Sequence, residues 1–437
     1  MRNRQINRRQ FLGRAAAVAA FTIVPRHVLG GARQVPPSEK LNIACIGVGG
    51  QGASDVQSVS TENIVALCDV DWGKHTAASF DKYPNAKKYK NFRKMLEAEA
   101  KNIDAVTVST PDNLHAVAAM MAVKMGKHVY CEKPLCHDIY EVRQLTEEAR
   151  KRGVMTQMGT QIHGTNDMKL FVEIVKSGAI GKVRKVDLWS GKNWGGGTRP
   201  KDTPPVPETL DWDLWLGPAP YRPYHPNYAP GNWRRWWDFG TGTLGDMGCH
   251  IIDPAWWALD LKYPTSIEAQ PGPFNEETYP EKTVVKWEFP ARGDQPAVTV
   301  TWCDGENQPP RPKELEEARK LPDQGGVYYG DKGVILYPHM GGPRLIPDSQ
   351  MKGFKAPPQV FDRKVDHYQD WIRACKGGPK PLSNFDYAGP LAEAILLGNI
   401  AALAKQKLQW DGPNMKVTNM PEANKFLRRE YRKGWTL

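Results

Sequence analysis

The stretch LNIACIGVGGQG, residues 41–52, restricts the fold of this chain more than any other. A short run rich in Ile, bounded by turn residues, reads as a buried parallel strand. Gly47, Gly49 and Gly52 follow with G-x-G-x-x-G spacing. In such a loop one glycine makes the tight turn, one lets backbone approach a pyrophosphate, and one lets helix pack on strand. The helix that follows points its unpaired N–H groups at the phosphates. A second strand, NIVALCDVD, brings an acid, Asp69, 17 residues past Gly52. An acid there accepts hydrogen bonds from the ribose hydroxyls and repels a 2′-phosphate. The cofactor expected is therefore NAD, with NADP less favoured.

Further strand and helix signals alternate as far as residue 160. IDAVTVSTP leads to the helical DNLHAVAAMMAVKMG, KHVYCEKPL to HDIYEVRQLTEEARKRG, and VMTQMGT is a last strand. This pattern predicts a doubly wound parallel sheet over residues 40–163, with ligands at the carboxyl ends of its strands. Thr110, His115, Glu132, Lys133, Gln161 and His163 all fall at or just after such ends. Residues 164–437 read as an α/β domain with a large, open, mostly antiparallel sheet. Its strand candidates include IGKVRKVDLWSG, TSIEAQ, KTVVKWEFP, AVTVTWC and GVILYP. Within it, residues 191–240 form an insert rich in Pro, Gly, Trp and Tyr. Nine of the chain's 15 Trp lie between Trp189 and Trp257. Such aromatic content argues against disorder. The insert is expected to cap a sugar cleft, with Trp194 and Trp236 stacking on substrate.

Residues 1–33 carry seven Arg and no acid; without them the net charge falls from +11 to +4. The body is thus only mildly basic, and no basic stripe interleaved with aromatics points to nucleic acid. Arg8-Arg9-Gln10-Phe11-Leu12 before the short apolar run 15–24 predicts a twin-arginine export signal over 1–33, with a linker at 34–39. The expectation is a protein exported folded, to the periplasm or beyond, by the twin-arginine machinery. The apolar run is too short to span a bilayer. No later segment reads as apolar enough, so no stable membrane anchor is expected. Seven scattered Cys give neither a disulfide framework nor a zinc pattern.

The glycine fingerprint, Asp69, TPDNLHA, CEKPL and GDMGCHIID together resemble the Gfo/Idh/MocA oxidoreductases over most of the chain after residue 38. The resemblance implies a Rossmann domain followed by an open-sheet domain that often oligomerises, so a homo-oligomer is expected. It maps the family's EKP motif onto Glu132-Lys133-Pro134, with a cis peptide before Pro134. Its Asp-x-x-x-His pair falls on Asp246 and His250, with Asp253 beyond. Chemistry supports these roles. Oxidising an alcohol sends a hydride to the nicotinamide and a proton to a base. His250 suits the base, and Lys133 can steady a developing alkoxide. Asp246, one helical turn from His250, can bind a second hydroxyl or tune the imidazole. Thr110, His115 and Glu132 are assigned to the cofactor side, His115 as a loop-stabilising or capping residue rather than a catalyst. Gln161, His163 and Asp253 are assigned to the substrate side. His163, Asp246 and His250 are metal-ligand types, but their spacing does not enforce a site and no metal is assigned.

The function expected is an exported NAD-dependent oxidoreductase acting on a hydroxyl of a sugar or glycoside. Oxidation at C3 would give a keto-sugar, with the cofactor held tightly and recycled on the protein. A glycosidase working by transient oxidation and elimination is the nearest alternative. A non-catalytic sugar-binding protein is the alternative of another class.

Overall fold

The computed structural model describes residues 39–437. The predicted export signal lies outside them. The first sheet has strands β1 (Asn42–Ile46), β2 (Asn63–Cys68), β3 (Lys87–Tyr89), β4 (Ala105–Val108), β5 (His128–Glu132) and β6 (Thr156–Gly159). Their order is β3-β2-β1-β4-β5-β6, and every pairing is parallel. The order reverses between β1 and β4, which opens a crevice at the strands' carboxyl ends. Five helices alternate with these strands: α1 (Gln51–Ser58), α2 (Lys74–Lys82), α3 (Phe92–Ala98), α4 (Asp112–Lys124) and α5 (Ile139–Arg152). Helix α5 starts on a reciprocal capping box between Asp138 and Glu141 and stops at left-handed Gly153.

The second half supplies α6 (Asn166–Lys176), β7 (Val183–Ser190), α7 (Trp212–Leu216), α8 (Gly242–Ile251) and α9 (Asp253–Ala258). Next come β8 (Ser266–Pro271), β9 (Thr283–Phe289), β10 (Val298–Asp304), β11 (Gln324–Gly330), β12 (Val334–Pro338) and β13 (Arg344–Ile346). Helices α10 (His367–Cys375) and α11 (Phe385–Ala404) precede the short strands β14 (Leu408–Asp411) and β15 (Lys416–Val417). The nine strands run β13-β12-β11-β7-β10-β9-β8-β14-β15, antiparallel except where β7 meets β10. Both predicted sheets are present. The chain also returns to the first half: Trp371 and Ile372 of α10 pack with Ile43, Cys45 and Val56.

Two sequence readings need correction. Helix α11 is long and apolar enough to cross a membrane by length and composition. It is instead the central core helix, apolar almost all round and mostly buried between α5, α8 and the second sheet. The aromatic insert is not primarily a stacking surface. Trp212, Trp215, Tyr228, Trp233, Trp236 and Phe239 form a small core of their own. It is fastened over the first half where Asp211 N–H donates to Val70 O (2.9 Å) and Asn113 Nδ2 donates to Leu216 O (2.9 Å).

Candidate active site

A cleft of about 920 Å³ runs from the glycine loop to α8. Its floor is the crevice between β1 and β4, and the aromatic insert forms its far wall. The glycine positions are sterically required. Gly47 has φ +78°, and a Cβ there would lie 2.5 Å from Ser109 O. A Cβ on Gly52 would lie 2.1 Å from Gly47 O, so this residue sets how closely α1 packs on the turn. Asp69 faces the cleft, its Oδ2 accepting Val48 N–H (2.8 Å) and its Oδ1 accepting Asp71 N–H (3.0 Å). Each oxygen keeps acceptor capacity for a ribose hydroxyl. Burial pushes this carboxyl up, and the two backbone donors oppose that shift. Open cradle, helix N-terminus and acid together fit a nicotinamide dinucleotide.

At the other end, Lys133 follows β5 and is joined to Pro134 by the cis peptide that the resemblance implies. Its Nζ forms a short ion pair with Asp246 Oδ1, on α8. The same oxygen accepts Arg234 Nε–H (3.1 Å). Asp246 Oδ2 accepts Trp194 Nε1–H (2.8 Å), and Lys192 Nζ stands 3.5 Å away. Burial alone would raise the Asp246 carboxyl, but Lys133 and Arg234 hold it well below the usual carboxylate range. It is a fixed anion that orients cations, not a ligand for the His250 ring. His250 faces the cleft one turn further along α8. Burial, with Lys133 and His339 nearby, drives its pKa well below that of free imidazole. Among the described residues its Nδ1 is buried without a partner, leaving Nε2 as the nitrogen a substrate can reach. His339, just past β12, stands beside it with ring centroids 5.7 Å apart.

Thr110, Glu132, Gln161 and Trp194 also line the cleft. Gln161 Nε2 donates to Glu132 Oε1, and burial raises the Glu132 carboxyl well above its ordinary range. His115 takes the loop-stabilising place expected of it, whereas three expected substrate contacts, those of His163, Asp253 and Trp236, do not form. His115 is buried under the loop it follows, its Nε2 2.8 Å from Thr110 O, and burial lowers its pKa to about 4. It braces the cleft wall without facing the cleft. His163 and Asp253, expected on substrate, satisfy one another in the core: Nδ1 lies 2.8 Å from Oδ2, and the ring stacks on Trp257. Trp236 is buried in the insert's own core, donating Nε1–H to Asn227 O (3.0 Å). Among the described residues, no three metal-ligand side chains gather, so His163, Asp246 and His250 do not converge.

Sequence reasoning missed Arg234, Lys192, His339, Asp112 and Asp71, all of which line the cleft. Asp112, at the start of α4, accepts Thr241 Oγ1–H (2.6 Å), and burial holds its pKa up at about 6. The two arginines inside NWRRWWD were the available signal, since a charged pair inside an aromatic run needs a polar partner or an opening.

The geometry agrees with comparisons to known proteins. The description "Oxidoreductase family, NAD-binding Rossmann fold" matches residues 41–160, and "Oxidoreductase family, C-terminal alpha/beta domain" matches 165–288. The chain belongs to the Gfo/Idh/MocA oxidoreductase family, and its first half is the NAD-binding domain. Inositol 2-dehydrogenase of Salmonella typhimurium is 29% identical over 188 residues, 40% of this chain and 54% of that protein. Glucose-6-phosphate 3-dehydrogenase of Bacillus subtilis is 23% identical over 244 residues, 56% of this chain and 61% of that one. The chain thus spans little more than half the length of these curated relatives. Among solved structures, the WlbA dehydrogenase of Bordetella pertussis with NADH and UDP-GlcNAcA gives a TM-score of 0.60 at 16% identity, covering 85% of this chain and 99% of that one. The aldose-aldose oxidoreductase of Caulobacter crescentus gives 0.59 at 18%, covering 85% and 100%. These likenesses describe the fold.

Proposed function

We propose that this chain is an NAD-dependent dehydrogenase that oxidises a secondary hydroxyl of a sugar or glycoside. One observation carries the reading: Lys133 and His250 face the same cleft as the glycine cradle, and Asp246 fixes Lys133 in place. Bound NAD supplies the hydride acceptor. His250, neutral near pH 7, takes the hydroxyl proton. General bases of this kind contribute roughly 10²–10⁴ in rate. Lys133 has three N–H donors, and the Asp246 contact leaves others for the developing alkoxide. Trp194 presents aromatic surface along the wall, suited to the apolar face of a pyranose.

The reading extends to export by the twin-arginine route, supported by Arg8-Arg9 and the apolar run behind them. A cofactor loaded before export must then be regenerated on the protein by a second carbonyl substrate. Oxidation at C3 is the form of the reaction we favour. A second reading, the glycosidase, draws on the paired imidazoles. After oxidation at C3, elimination needs a base at C2 as well, and His339 stands beside His250.

The test uses protein exported by its own signal and purified without added nucleotide. Mixed with a panel of sugars and glycosides, it should give a rise in reduced-nicotinamide absorbance limited to one equivalent per site. Lys133→Ala should fold and keep its nucleotide, yet lose about 10³-fold in turnover. Undiminished turnover in that variant would remove the assignment. Release of free sugar without net reduction would select the glycosidase.

A further inference from the structure

Resting on that reading, we propose that the substrate is a sugar acid whose carboxylate is bound by Arg234 and Lys192. Arg234 sits in the short turn Trp233–Arg235, its guanidinium over the Trp233 ring at 4.2 Å and near the Trp194 ring at 5.7 Å. Its Nε is held by Asp246. Among the described residues, neither Nη group has a hydrogen-bond partner, and the side chain lines the cleft. A guanidinium held at one edge, with its planar fork free, has the geometry that takes a carboxylate in two parallel bonds. Lys192, in the loop after β7, reaches toward the same place. It is half-exposed and only 3.5 Å from Asp246, long for an ion pair, so a second anion can draw it in.

The balance of donors and acceptors points the same way. A neutral sugar offers hydroxyls, which call for acceptors as well as donors. The natural acceptor at this end is Asp246, and both its oxygens are already engaged by Lys133, Arg234, Trp194 and Lys192. Asp112 is turned to Thr241. Three cations, Lys133, Arg234 and Lys192, stand on the single Asp246 carboxylate, and Asp112 and Glu132 also line the cleft. The wall at Asp246 is therefore rich in donors and short of free acceptors. A ligand that brings its own acceptor oxygens and one negative charge completes it. The fork can take either a carboxylate or a phosphate in two parallel bonds, and glucose 6-phosphate distinguishes them.

Calorimetric binding to the NAD-loaded protein tests this without requiring turnover. The probes are pairs differing only at C6: glucuronate and glucose, galacturonate and galactose, mannuronate and mannose, with glucose 6-phosphate added. In at least one pair the acid should bind ten times more tightly or better. Lys192→Ala and, separately, Arg234→Leu should reduce that ratio to near one. Equal binding within every pair, absence of binding by all three acids, or a preference surviving both substitutions would overturn the proposal. Tighter binding of glucose 6-phosphate than of any acid would overturn the carboxylate in favour of phosphate. Acids that bind selectively but never reduce the cofactor would leave the anion site standing and defeat the dehydrogenase reading.

Discussion

At the scale of single residues, the site depends on which imidazole is neutral. Burial and the neighbouring Lys133 depress His250, so its free-base form predominates throughout the neutral range. A lowered pKa moves loss of the base to more acid pH. The pH profile of kcat/KM should be flat from about 6.5 upward to 8, with its acid limb below the ordinary histidine value of about 6.5. His250→Asn should lower kcat/KM by roughly 10²–10⁴ and abolish that limb. An unchanged limb in the variant would assign it to another group. Lys133, Asp246 and His250 were legible because each sits in a local motif with its own spacing. Arg234, Lys192 and His339 were not. They reach the cleft from a turn, a loop and a strand end, and no local pattern joins these. The reverse error befell His163 and Asp253. A polar pair is equally stable facing ligand or satisfying itself in the core, and sequence does not distinguish the two.

At the scale of elements, α8 carries Asp246 and His250, and α11 carries α8. Gly398 of α11 lies where the two meet. A Cβ there would stand 2.5 Å from Leu244 Cδ2, 3.1 Å from Trp287 Cζ2 and 3.2 Å from Val285 Cγ1. Three apolar groups on two elements would have to yield, and overpacking of that kind costs about 1–3 kcal/mol. Gly398→Ala should lower the unfolding free energy by that amount. It should also reduce kcat more than it weakens NAD binding, because the displaced helix bears the base while the glycine loop lies elsewhere. Denaturant titration beside nucleotide binding checks both parts, and equal losses of kcat and NAD affinity would contradict it. Strands β8, β9 and β10 were readable from their alternation, and β12 from its short continuous apolar run. Strand β11 begins Gln-Gly-Gly, which carries no strand signal, and forms because β7 and β12 flank it on either side. The apolar uniformity of α11 hid it, since a helix buried all round lacks the polar stripe that gives a period away.

At the scale of the molecule, the two halves are held together by chain that returns across them. Arg429 lies far along the sequence yet docks on the first half. Its Nε (2.9 Å) and Nη2 (2.7 Å) donate to Glu141 Oε1, and Nη2 also donates to Asn113 O (2.7 Å). Its backbone N–H donates to Asp138 Oδ2 (3.2 Å), and Tyr431 OH donates to Glu141 Oε1 (2.6 Å). Asp138 and Glu141 are the same residues that cap α5, and α5 begins a few residues after Lys133. The strap thus neutralises two buried carboxyls at the root of the loop that carries Lys133. Burial, with Glu141 beside it, already lifts the Asp138 pKa to about 7 despite Arg429. Arg429→Ala leaves both acids without their cation, and breaking a buried pair in this way costs about 3–5 kcal/mol. Glu141→Ala should itself destabilise, through loss of the cap. The double variant should then be less destabilised than the sum of the single ones, because neither partner is left charged and alone. Simple additivity in that cycle would mean that Arg429 acts through its bonds to Asn113 and Asp138, and that the strap is held by those contacts instead of by charge.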